Sequence, residues 1–117
     1  MFPKSNSHCS VWKPLEGPCR DFPMAYCDPL SVDRNKDLYT VDEVFPTVAN
    51  EVFQVQHNPA HKWYYVSDQL DSEITIFQAY DSEHGQQLAV PHCSFDLGAA
   101  GSGIPRQSIE IRAFVFY

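Results

Sequence analysis

The sequence is poor in positive charge. Eight lysines and arginines stand against 15 aspartates and glutamates, for a net charge of −7. The basic residues are scattered, and no stretch interleaves them with aromatics, which excludes a nucleic-acid groove. No apolar run is long enough to cross a bilayer, so no membrane partner is expected. The opening MFPKSNSHCSVW lacks the apolar core of a secretory signal, which favours a cytoplasmic protein. The four cysteines, Cys9, Cys19, Cys27 and Cys93, contain no Cys-x-x-Cys pair, so a zinc knuckle is not expected. Without a secretory signal their even number supports no disulfide framework, and four reduced, mostly buried thiols are expected. Internal repeats, low-complexity tracts and helical periodicity are missing as well.

What is present is a folded composition. Apolar residues make up 44% of the chain, too many for a disordered segment. Its 117 residues give room for one domain, residues 1–117, with a modest core. Several runs alternate in steps of two. Glu51 to His57 places Val52, Gln54 and Gln56 opposite Phe53, Val55 and His57. Asn58-Pro59-Ala60 then reads as a hairpin turn into a second strand, His61 to Ser67. Ser72 to Tyr80 is a third strand. Leu88 to Phe95 contains a fourth, interrupted by Pro91, and Gln107 to Tyr117 is the fifth. Earlier in the chain, Met1 to Ser7 is expected to fray, and Ser10 to Leu15 reads as a short strand stopped by Pro14. Met24 to Cys27 is a short apolar run ending in a turn at Asp28-Pro29. Leu30 to Asp42 reads as solvated, with at most a helical turn over Ser31 to Lys36. Short strands at regular spacing with little helix indicate an antiparallel sandwich or barrel.

The chemistry concentrates in the last quarter. Arg106 and Ser108 share a phase of the long final strand, so a guanidinium fork and a hydroxyl point the same way, which suits a carboxylate ligand. His92, on the preceding segment across a glycine-rich loop, is a candidate metal ligand. Cys93 adjoins it, but neighbours in a strand point to opposite faces. His61, Trp63 and Tyr65 share one strand face and could line a substrate cavity, although such an aromatic stripe more often packs in a core. Glu110 and Arg112 read as a pair along one face of the final strand, or as solvated charges.

The blocks SVWKPL, PMAYCD, HNPAHKWYY, AYDS, PHCSF and PRQSIEIRAFVFY, in this order, resemble the fungal hydroxylase/desaturase family that includes the gibberellin desaturase and cephem-methoxylase-like proteins. The resemblance runs from Val11 to the C-terminus. It implies a mainly β, antiparallel jelly-roll (double-stranded β-helix) fold, and an iron(II)/2-oxoglutarate-dependent oxidoreductase of secondary metabolism acting on a small-molecule substrate. By the same resemblance His92 is an iron ligand, and Arg106 and Ser108 bind the far carboxylate of 2-oxoglutarate. The family's other two ligands form a His-x-Asp pair, upstream of the VWKPL-like block. None of the five histidines here is followed two positions on by an acid. The chain is therefore expected to match the C-terminal half of the family's oxygenase domain. An incomplete barrel, self-association through exposed strand edges and no catalysis by this chain alone are expected to follow. The competing expectations are a non-catalytic small-molecule-binding β module and a metal-free isomerase.

Overall fold

A computed structural model describes residues 4–85, 87–101 and 104–117. Eight strands and two short 3-10 turns occupy these residues. The strands are β1 (Asn6–Pro14), β2 (Met24–Cys27), β3 (Leu38–Val44), β4 (Ala49–Val55), β5 (Trp63–Tyr65), β6 (Thr75–Asp81), β7 (His92–Ser94) and β8 (Ser108–Phe116). They form two three-stranded sheets, ordered β6-β1-β8 and β5-β2-β7, and a separate β3-β4 hairpin. Every pairing is antiparallel. The fold is thus nearly all β, in the two-sheet arrangement of a jelly roll, and no barrel closes among the described residues. No helix of the described residues is long and apolar enough to cross a membrane.

The core lies between the two sheets. Trp12 from β1 and Phe77 from β6 pack with Cys19, and Met24 and Tyr26 from β2 close over them with Val90. The alternation of β1 explains its side of this contact. Ser10, Trp12 and Pro14 are buried in steps of two, while Val11 and Lys13 between them are less so. Their register partners on β8 are Arg112, Glu110 and Ser108, which share the inward face. On β2, Met24 and Tyr26 share a face with Ser94 and His92 of β7. Tyr26 reaches across the core to hydrogen-bond the Thr75 hydroxyl, tying the two sheets together.

Several expectations need correction. The strand over 51–57 pairs with Leu38–Val44, not with 61–67. The segment read as solvated therefore holds most of the seven-residue strand Leu38–Val44, and the hairpin turn lies at Phe45–Val48, where the Phe45 amide donates to the Val48 carbonyl at 2.8 Å. The physical reason is Asp37. Its carboxylate accepts from Asn58 Nδ2 at 3.0 Å and from His61 Nε2 at 2.9 Å, and its carbonyl from the Gln56 amide at 2.7 Å. Asn58 to His61 is folded back onto the start of β3, so β5 leaves for the β2 edge. The expected strand at 61–67 shrinks to Trp63–Tyr65. At the N-terminus, Asn6 and Ser7 belong to β1, and Ser5 exchanges backbone hydrogen bonds with Tyr117. The helical turn is displaced to Pro29–Ser31, where the Asp28 carboxylate caps the Leu30 amide. All four cysteines are free, but only Cys19 and Cys27 are buried, and Cys93 is exposed. Met1–Pro3 of the expected frayed end, Gln86 between the expected third and fourth strands, and Ser102–Gly103 of the glycine-rich loop lie outside the described residues.

Candidate functional site

Arg106 sits just before β8, where Ile104-Pro105 leads the chain into the strand. Its amide donates to Asp21 Oδ2 at 2.8 Å, which pins the backbone to the loop between β1 and β2. Its guanidinium carbon stands 5.7 Å from the centre of the buried Trp12 ring, within cation–π range. Nη1 donates to Ser108 Oγ at 2.9 Å. Nε is buried and has no hydrogen-bond partner among the described residues. A buried guanidinium nitrogen left without an acceptor is costly, and a carboxylate seated there would satisfy it. A cavity of about 180 Å³ opens beside Arg106, between residues 16–21 and Ile104-Pro105. Arg106 and Ser108 are therefore brought together, although the strand begins only at Ser108 and Arg106 lies on the approach to it.

His92 lies at the start of β7, and its ring centre is 4.4 Å from that of Phe77. Trp12 and Phe77 belong to one core cluster, so His92 and Arg106 each lean on a ring of the same core. The His92 Nδ1 lies 3.0 Å from the Val90 carbonyl. A carbonyl can only accept, so Nδ1 carries the proton and Nε2 keeps its lone pair for a ligand. His92 is exposed at the wall of a larger cleft of about 920 Å³, whose other borders include His8, Arg34, Arg112 and Phe114. That volume lies in the range of small-molecule sites. Burial lowers the pKa of Arg34, whose Nη2 donates to the Ala89 carbonyl at 2.9 Å.

The His61–Trp63–Tyr65 stripe behaves differently. His61 is held by Asp37, with only 3% of its side chain exposed, and so anchors a loop. Register places Trp63 and Tyr65 on the face of their sheet opposite Tyr26 and His92. Tyr65 packs edge-on against Phe95, and Trp63 borders the cleft from beyond Cys93. Although Cys93 is exposed, partial desolvation of its thiol raises the pKa, which disfavours the thiolate.

As a metal site the arrangement supplies one well-prepared donor. The tautomer of His92 fits an imidazole ligand. Among the described residues no group of three histidine, cysteine, aspartate or glutamate side chains converges as an ion would require. As a carboxylate site it fits better, with a permanent charge, a hydroxyl and an open acceptor position. Sequence reading missed Asp21 and Trp12 as supports of Arg106. Trp12 carried a signal, lying in the SVWKPL block, but nothing in the sequence linked Asp21 to a residue 85 positions away.

Comparison with known proteins places this geometry in context. The oxidoreductase/YMDC permease-like domain matches residues 4–116. The gibberellin cluster GA4 desaturase of Gibberella fujikuroi is 34% identical over 116 residues, covering 92% of this chain and 34% of that protein. The Fe(II)/2-oxoglutarate-dependent dioxygenase nvfI of Aspergillus novofumigatus is also 34% identical, with 92% and 39% covered. The hydroxylase/desaturase efuI of Hormonema carpetanum is 31% identical, with 92% and 40% covered. Among solved structures, the iron and alpha-ketoglutarate-dependent endoperoxidase NvfI superposes with a TM-score of 0.85 at 32% identity, over 96% of this chain and 42% of that one. The chain thus spans well under half the length of these relatives.

Proposed function

Because the chain belongs to the oxidoreductase/YMDC permease-like domain family, and its relatives are fungal hydroxylases and desaturases, we propose that it carries the co-substrate end of an iron(II)/2-oxoglutarate oxygenase site. Arg106 and Ser108 hold the far carboxylate of 2-oxoglutarate, and His92 offers Nε2 to iron. The observation that carries this reading is the buried Arg106 Nε, which has no partner among the described residues, beside the Ser108 hydroxyl. The guanidinium is permanently charged, so it can receive a diacid at any physiological pH. Trp12 supplies a flat support beneath it, and the Asp21 bond fixes where the side chain begins. Bound iron would supply oxygen activation for oxidising an unactivated carbon. The organic substrate would lie in the cleft beside His92, which a mid-sized metabolite would fill. Calorimetry with 2-oxoglutarate tests the clamp. A charge-assisted contact contributes roughly 1.5–3 kcal/mol, so Arg106→Ala should weaken binding about tenfold to a hundredfold. Lys13→Ala, on the opposite face of β1, should leave affinity unchanged. Equal affinity in wild type and Arg106→Ala would remove Arg106 from the site.

A second reading follows from the ligand count. The sequence contains no His-x-Asp pair, and His92 is one ligand where this chemistry needs three. By itself the 117-residue chain then acts as a binding module for a small acid, without turnover. Succinate release from 2-oxoglutarate, assayed with iron(II), ascorbate and oxygen, should stay at background. Metal-dependent succinate that disappears in His92→Ala would overturn this second reading and uphold the oxygenase.

A further inference from the structure

The segment that leads into His92 also fixes a guanidinium. Arg34 Nη2 donates to the Ala89 carbonyl at 2.9 Å, and His92 Nδ1 to the next carbonyl along, that of Val90, at 3.0 Å. Two adjacent residues, with Cα atoms about 3.8 Å apart, thus hold both groups, and both groups border the same cleft. Arg34 takes this place in preference to acids nearer in sequence. Asp33 pairs with Lys36 at 3.1 Å, and Asp37 is occupied by Asn58 and His61. Among the described residues Arg34 forms no ion pair. Its charge and its remaining donors are therefore available to a ligand.

The rest of the cleft narrows the kind of ligand. A chain with a net charge of −7 repels anions at large, so an acid needs a local cation to enter. Two arginines border the cleft, Arg34 and Arg112, against one carboxylate, Glu51. The Arg112 side chain is 85% exposed and lies 3.7 Å from Glu110, so its field is offset and screened. Glu51 is exposed as well, which screens its opposition. Arg34 is partly buried, where a lower effective dielectric strengthens its attraction for an anion. Leu38, Phe53 and Phe114 add apolar surface to the same border. One guanidinium fork among apolar side chains matches a single carboxylate on a hydrocarbon skeleton. A phosphate monoester, with its second charge, would call for a second cation as well placed as the first.

We propose that Arg34 anchors a carboxylate of the organic substrate, an apolar acid of middle size, and so holds its hydrocarbon part beside His92. That the acid is the substrate rests on the oxygenase reading above; its binding at Arg34 does not. The probes are 2-naphthoate and the uncharged 2-naphthamide of nearly the same shape, each titrated into the full chain by calorimetry. Naphthoate should bind about tenfold tighter than the amide, and Arg34→Gln should erase that difference while leaving the amide unchanged. Arg34→Lys, which keeps the charge and loses the fork, should retain part of it. Added 2-oxoglutarate should not displace naphthoate, because the Arg106 clamp is a separate site. Equal affinity for acid and amide, no binding of either, a preference that survives Arg34→Gln, or displacement by 2-oxoglutarate would each overturn the proposal. The comparison of acid with amide on the wild type keeps the test decisive if Arg34→Gln unfolds the chain. A naphthoate preference that depends on Arg34, in a chain that fails to bind 2-oxoglutarate, would sink the oxygenase reading and leave the acid site standing.

Discussion

Replacing Trp12 by alanine should unfold this protein at markedly lower denaturant. Trp12 is 2% exposed and belongs to the core cluster with Phe77 of its own sheet, against which Met24 and Tyr26 of the other sheet pack. Truncating a buried tryptophan to alanine costs about 3–5 kcal/mol. The upper end applies here. The rings around the gap stand on strands held by backbone ladders, which resist collapse into it. Loss of the guanidinium contact with Arg106 adds about 0.5–1 kcal/mol. Domains are stable by only about 5–15 kcal/mol in total, so the variant would retain a fraction of that. With a urea dependence of about 1–3 kcal/mol per molar, the midpoint should fall by roughly 2 M or more. The assay is equilibrium urea unfolding followed by far-UV circular dichroism, which does not depend on Trp12 as reporter. Trp12→Phe should fall between the two. A double-mutant cycle with Arg106→Leu should return a coupling of about 0.5–1 kcal/mol. A midpoint shift under about 0.5 M for Trp12→Ala would refute the placement of the core between the sheets.

Gly17→Ala should destabilise by about 1–3 kcal/mol, because the added Cβ would lie 2.8 Å from the Asp71 amide and the Leu70 Cα, both backbone atoms; thermal unfolding checks this. Tyr117→Phe should flatten the pH dependence of stability at both ends. The Tyr117 hydroxyl donates to Asp81 at 2.7 Å, which holds the Asp81 carboxyl well below its usual range and pushes the Tyr117 phenol up to about 12. The depressed carboxyl stabilises the fold above about pH 4 and loses that contribution as pH falls further. The raised phenol stabilises below about pH 10 and loses its contribution as pH rises through about 12. Urea midpoints from acid to alkaline pH read both limbs, and identical profiles for Tyr117→Phe and wild type would exclude the contact.

Most strands legible in the sequence alternate because one face is in contact, while β4 alternates although most of its residues are exposed. β6 and β8 follow their alternation because Phe77 and Ser108 must turn inward while Ile76 and Ile109 turn out. β3 was hidden because neither of its faces is buried: Tyr39, Thr40, Asp42, Glu43 and Val44 are all exposed, so hydrophobicity leaves no period to read. The pairing of β4 was misread for a different reason. Asn58-Pro59-Ala60 is a sound local turn, but Asp37 captures Asn58 and His61 from 21 and 24 residues away, and a buried carboxylate with several donors outweighs a local turn preference.

The site divides along the same line. Arg106 lies two residues before Ser108, the first residue of β8, and the hydrogen bonding to the β1 segment already continues through Gln107, so the local chain direction brings the two side chains together, at 2.9 Å. The tautomer of His92 depends on the Val90 carbonyl just before Pro91, a backbone direction that composition does not encode. Trp63 and Tyr65 shared a face as expected, yet the register of β5 on β2 turned that face away from His92. A one-residue change in that register would have reversed the result, because strand period assigns residues to two faces without naming the inner one. Tyr26 decides it. Its ring lies 5.1 Å from Phe77 and its hydroxyl is bonded to Thr75, so its face of the sheet is the core face, and His92 as its register partner follows it inward. The position of the His92 imidazole is thus set by a tyrosine on the neighbouring strand. Shortening that tyrosine to alanine should loosen His92 before it disturbs Arg106, which is held separately by Asp21 and Trp12.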